Sequence, residues 1–131
     1  MKSPMLVFES AAFAIVPGED EETNEGIYGK SLTEWLAGKL RSAGVPVGDI
    51  VAEDFGWCIR VDSEPHSLYV ACSGNADEPD RWRVFVFAEG GLFARLTGGD
   101  TRAESVATLF TAVRQCIESA PAIRGITEEI G

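Results

Sequence analysis

The chain has a single histidine, His66, and three cysteines, Cys58, Cys72 and Cys116, with no Cys-x-x-Cys pair. One histidine leaves any His-dependent triad resting on a residue in a Pro65-containing turn, and no motif supplies it with a thiolate or serine partner. A zinc site built from Cys58, His66 and Cys72 would match no ligand spacing. An odd number of unpatterned cysteines fits reduced thiols, so the expected compartment is the cytoplasm. Neither a metal nor another cofactor is expected.

Basic residues are scarce as well. Eleven Lys and Arg stand against 21 Asp and Glu, a formal net charge of −10. Such a field repels nucleic-acid phosphates and anionic membranes and favours a basic protein partner. Long apolar runs are missing too. The stretch from Ala11 to Val16, preceded by Glu9, is too short for a membrane span or a signal-peptide core. The expectation is therefore no nucleic acid, no membrane, and a monomer or homodimer.

What is present reads as one α+β domain over residues 1–131, with 45% hydrophobic and 24% charged residues. A chain this long buries enough surface to fold without metal or disulfide staples. Met5 to Phe8 and Phe13 to Val16 suggest an opening strand or a pair of strands. Three alternating runs follow at Trp57 to Asp62, Ser67 to Cys72 and Trp82 to Ala88, with a weaker one near Val45 to Ala52. If Asp62 opposes Ser67, then Trp57, Ile59 and Val61 face Cys72, Val70 and Leu68 on one side, while Arg60 faces Tyr69 on the other. That register places Cys58 and Cys72 on opposite faces.

Two helices are marked by capping boxes at Ser31-Leu32-Thr33-Glu34 and Thr101-Arg102-Ala103-Glu104. Leu32, Trp35, Leu36 and Leu40 form one apolar stripe, ended by Gly44; Val106, Leu109, Phe110, Val113 and Ile117 form the other, ended by Pro121. The expected architecture is a two-layer sandwich, with four to five mostly antiparallel, twisted strands and both helices on one face. Residues 121–131 read as a tail or short helix.

Four segments are candidates for chemistry. The run 18–26 carries Glu19, Asp20, Glu21, Glu22 and Glu25 and reads as an exposed, mobile acidic loop able to meet a basic partner. As a calcium loop it fails, because Gly26 comes one position late and Ser31 stands where a glutamate is needed. Glu53 and Asp54 are adjacent carboxylates before Phe55-Gly56-Trp57. They serve as part of the acidic surface that meets a basic partner, as an acid/base or small-ligand site with Tyr28 and Arg60 in support, or as a turn that sets Phe55 and Trp57 into the core. Phe85 and Phe87 share the second face of an otherwise apolar strand, to be covered by the loop from Gly90 to Leu96 or by a partner or second copy. Gly98-Gly99-Asp100-Thr101 opens a helix, but Asp100 would repel an anion there.

The segments Gly26-Ile27-Tyr28-Gly29-Lys30-Ser31-Leu32 with Trp35-Leu36, and Glu53-Asp54-Phe55-Gly56-Trp57, resemble a motif pair in small uncharacterised bacterial proteins. That resemblance implies a bacterial source and no activity. In size, acidity and order of elements the chain is also similar to class I type III secretion chaperones, acidic cytoplasmic homodimers that bind effector proteins. It carries over no functional residue. The expected function is non-enzymatic partner binding of the immunity-protein, antitoxin or chaperone kind. The alternatives are a small-ligand or hydrolytic domain at Glu53 and Asp54, and a structural dimerisation module.

Overall fold

A computed structural model describes residues 2–62, 67–89 and 102–130, in which seven strands form one antiparallel sheet with two helices against it. In chain order these are β1 (Met5–Glu9), β2 (Ile27–Tyr28), α1 (Lys30–Ser42), β3 (Val47–Glu53), β4 (Gly56–Asp62), β5 (Ser67–Asn75), β6 (Glu78–Glu89), α2 (Arg102–Glu118) and β7 (Arg124–Glu129). The sheet runs β3-β4-β5-β6-β1-β7, and β2 pairs with β5 off that path.

The central hairpin has the expected register. Asp62 lies opposite Ser67, Val61 opposite Leu68, Ile59 opposite Val70, Trp57 opposite Cys72, and Arg60 opposite Tyr69. A slip of one residue would carry either Ile59 and Val61 or Val70 and Cys72, all essentially inaccessible to solvent, onto the other face. β6 is a central strand as well, paired on one side with β5 and on the other with β1.

The sheet has seven strands rather than four to five, and the two extra ones gave little signal. β2 has only two residues, held by Ile27 and Tyr28 against Asn75 and Gly74. β7 occupies the expected tail; as an edge strand it packs Ile126 against the core and leaves its other side chains exposed, so no alternation shows. The segment around Phe13 to Val16 is not a strand. Phe13 instead leaves the sheet edge and wedges between Trp35 (5.3 Å between ring centres) and Trp82 (5.9 Å), while Ile15 and Val16 stay exposed.

Both helices lie on one face. Leu32, Leu36 and Leu40 of α1 and Val106, Leu109, Val113 and Ile117 of α2 join Leu6, Phe8, Ile59, Val70, Val84 and Val86 in one core. Trp82 anchors the far side, donating its indole N–H to the Ser10 carbonyl at 3.0 Å. α1 stops where Gly44 adopts φ +89° and Val45 N–H returns to the Leu40 carbonyl. The second capping box, which begins at Thr101, and the loop from Gly90 to Leu96 lie outside the described residues. No described helix is long and apolar enough to cross a membrane.

Candidate functional site: the open face of the sheet

The acidic loop is not wholly exposed, because two of its carboxylates are built into the fold. Residues Glu19–Glu21 form a 3-10 turn, and Glu19 is buried at 3% exposure. Its carboxylate accepts hydrogen bonds from the backbone N–H groups of Val16 (2.6 Å), Gly29 (2.8 Å) and Lys30 (3.0 Å). Gly29 is the N-cap of α1 and offers no side chain, so Glu19 caps the helix from ten residues upstream. A carboxylate there also complements the positive end of the helix dipole. This replaces the expected Ser31 box: the N-cap is Gly29, two residues earlier, and Thr33 donates its hydroxyl to the Gly29 carbonyl at 2.6 Å. Asp20 accepts from the Gly26 N–H at 3.0 Å. Only Glu21, Glu22 and Glu25 of this group are free on the surface to meet a partner.

Glu53 and Asp54 sit exposed at the tip of the β3-β4 hairpin, where Glu53 pairs with Gly56. They do not meet Tyr28 and Arg60 in one cleft. Tyr28 lines a small depression with Phe13, Asp80 and Trp82, and Arg60 pairs with Asp62 at 3.6 Å. Two larger depressions belong to the helix layer. One, of about 390 Å³, is lined by Val45, Val61, Leu68 and Leu109, and the other, of about 300 Å³, by Phe13, Trp35, Lys39 and Ile123. Neither is lined by Glu53 or Asp54. Among the described residues no cluster of three His, Cys, Asp or Glu side chains is placed to hold a metal ion.

The turn does not send both aromatics inward. Trp57 is buried beneath Lys30, whose ammonium lies 5.3 Å from its ring centre, and its indole N–H finds no partner among the described residues. Phe55 is 46% exposed and folds onto the face of the sheet opposite the helices. There it joins Phe85 (6.2 Å between ring centres) and Phe87 (6.4 Å), while Tyr69 stacks on Phe87 at 5.1 Å and 15°. Lys2 lies over the Phe85 ring at 5.6 Å, held in place because Ser3 exchanges hydrogen bonds with the backbone of Val86. Lys2, Phe55, Phe85, Phe87 and Ala88 enclose a shallow depression of about 300 Å³.

Strand register assigns the rest of this face, because alternate residues share a side. Val51, Cys58, Ala71 and Phe85 form one row; Arg60, Tyr69, Phe87 and Lys2 form the next. Glu53 falls on the same face at one edge, Asp62 and Glu89 at one end, and Arg83 at the other, hydrogen-bonded to Glu78 at 2.9 Å. That bond, with the charges of Arg83 and Arg81, holds Glu78 below the usual carboxylate range. Tyr69 donates to Glu89 at 3.5 Å, and burial with that neighbouring charge raises its phenol. Among the described residues no helix packs on this face.

Cys58 belongs to this face yet is 1% exposed. Burial, with a further contribution from the Glu53 charge, pushes its thiol up to about 12. Burial does the same to Cys72 on the helix side, also to about 12. An unfolded thiol ionises near 9, so both contribute stability that is complete below pH 9 and lost as pH rises toward 12. The unfolding free energy from denaturant titration should be flat from pH 7 to about 8 and then fall, with a slope of up to about 1.4 kcal/mol per pH unit per thiol. The Cys58→Ala variant should show a shallower alkaline decline in the same titration. An unchanged slope would mean that Cys58 is not held protonated by the fold.

Phe85 and Phe87 are thus where the sequence placed them, and Glu53 shares their face. Phe55, Tyr69 and Lys2 were missed as companions. Tyr69 was legible from the hairpin register, whereas nothing local marks Phe55 or Lys2 as folding onto β6. A scan of protein-family models matches none to this chain, and searches of curated proteins and of solved structures return no match either.

Proposed function

We propose that this chain is a non-catalytic binding domain, of the immunity-protein, antitoxin or chaperone kind, that docks a basic protein partner on the open face of its sheet. The observation that carries the reading is the aromatic cluster of Phe55, Tyr69, Phe85 and Phe87 on the face away from the helices. Aromatic side chains supply large, rigid contact area at low entropic cost and dominate the energetics of interfaces. The net charge of −10 supplies the other half, steering a basic surface toward the site and opposing the approach of a second, equally acidic copy. Glu53, with Glu21, Glu22 and Glu25 on the surface beyond the face, contributes to that field; Glu19 and Asp20 serve the fold.

The test is differential capture from extracts of the native cell by the wild type and by Phe85→Thr/Phe87→Thr, which retains strand propensity. A basic protein should be retained by the wild type at 0.15 M salt, reduced about tenfold or more by the double substitution, and released by 1 M salt. Equal capture by the two proteins, or capture indifferent to salt, would overturn the proposal. Concentration-dependent self-association abolished by the same substitutions would assign the face to a homodimer instead.

A further inference from the structure

We infer that the depression bounded by Phe55, Phe85 and Phe87 is a seat for a cationic side chain of the partner, best filled by arginine, and that Lys2 occupies it in the free protein. The inference rests on the docking face proposed above and names what that face recognises. Phenyl rings carry negative charge on their faces, and a cation within about 6 Å of a ring centre is attracted to it. Lys2 already makes this contact, 5.6 Å from the centre of Phe85. The chain's own ammonium therefore marks the position where a foreign cation gains the most.

Three further observations favour exchange. Lys2 is exposed, and its backbone is fixed through Ser3 rather than through its side chain, so the ammonium can swing into water without disturbing β6. Phe55 stands at the hairpin tip, 46% exposed, and presents a second ring 6.2 Å from Phe85. Carboxylates surround the rings on the same face: Glu53 at the β3 edge, and Asp62 and Glu89 in the row beyond Tyr69 and Phe87. Asp62 is partly committed to Arg60 and Glu89 accepts from the Tyr69 hydroxyl, which leaves Glu53 as the acceptor of the three with no such neighbour among the described contacts. A guanidinium suits such a place better than an ammonium, because it stacks flat on aromatic rings and is more weakly hydrated. An anionic segment would be repelled by Glu53, and a purely apolar one would leave it without a partner.

The seat is testable without the partner, using a blocked Gly-Arg-Gly peptide, its lysine counterpart and its uncharged citrulline isostere, followed by NMR on the full chain. The arginine peptide should shift the ring protons of Phe55, Phe85 and Phe87 and return the Lys2 side-chain methylene signals toward free-lysine positions. The lysine peptide should do so more weakly and the citrulline peptide not at all. Lys2→Gln should bind the arginine peptide about two- to fivefold more tightly, because the competing cation is gone. Phe85→Leu should weaken it by at least as much. Equal responses to arginine and citrulline, or unchanged affinity in Lys2→Gln, would overturn the seat. Partner capture that still depends on Phe85 and Phe87 in that event would leave the docking face standing while refuting the cation, so the two failures are separable.

Discussion

Replacing Glu19 by alanine is expected to lower the stability of the chain by about 3 kcal/mol, although a sequence reading counts this residue as one more surface carboxylate. Its two oxygens satisfy the N–H groups of Val16, Gly29 and Lys30, and the residue is 3% exposed. Alanine would leave those donors without their acceptor and uncap α1, which supplies Leu32, Leu36 and Leu40 to the core. In a thermal melt the loss corresponds to a fall of roughly 10 °C. Glu21 and Glu22, two and three residues along and exposed, should each change stability by less than about 0.5 kcal/mol when replaced. If Glu19→Ala melts with those two controls, the distal cap is wrong and the loop is as free as its composition suggests.

Gly56→Ala should be costlier still. Gly56 has φ +152°, and a Cβ there would lie 2.4 Å from the Cys72 carbonyl oxygen and 2.9 Å from the Ser73 Cβ. The obstacle is the backbone of β5, which cannot rotate away, so β4 must part from β5 where the hairpin begins. Backbone strain and overpacking together amount to about 4 kcal/mol, a large share of the stability of an ordinary domain. Gly44→Ala is the control. It too has positive φ, at +89°, but an added Cβ meets nothing within 4 Å, so only the conformational term of about 1 kcal/mol applies. Equilibrium unfolding in urea should separate the two by about 3 kcal/mol. Equal losses would show that strain, and not the contact with Cys72, is what the glycine avoids. If Gly56→Ala does not accumulate as folded protein, the comparison can be read from Gly56→Ala in a background stabilised elsewhere, where the difference should persist.

The parts of this fold that were legible in the sequence are those in which one residue type decides one thing. The β4-β5 register follows from the need to put Ile59, Val61, Leu68 and Val70 on one side, since a slip of one residue mixes the faces. The helices follow from stripes such as Leu32, Leu36 and Leu40. The parts that were not legible depend on residues distant in the chain. Glu19 becomes a cap only because the 3-10 turn returns it to the start of α1, and its neighbours Glu21 and Glu22 look the same on paper. Phe55 was assigned to the core because a hairpin tip gives no local sign of which way its aromatic will fold. β7 escaped notice because Ile126 alone of its residues packs against the core.

These corrections redistribute the candidate site. The acidic run loses Glu19 and Asp20 to architecture, and the Glu53-Asp54 pair stands at an exposed tip whose neighbour Phe55 extends the Phe85 and Phe87 surface. Of the acidic residues read from the sequence, Glu53 shares a face with the phenyl cluster, where Glu89 joins it, while Glu21, Glu22 and Glu25 lie beyond it.

The proposal that this face docks a basic partner is tested most directly by a photo-reactive benzoylphenylalanine at position 87, compared in the native cell with the same group at position 107 on the exposed side of α2. The expected result is a crosslink from position 87 to a basic protein and none from position 107. A crosslink from position 107 alone, or from position 87 only to a second copy of this chain, would contradict it.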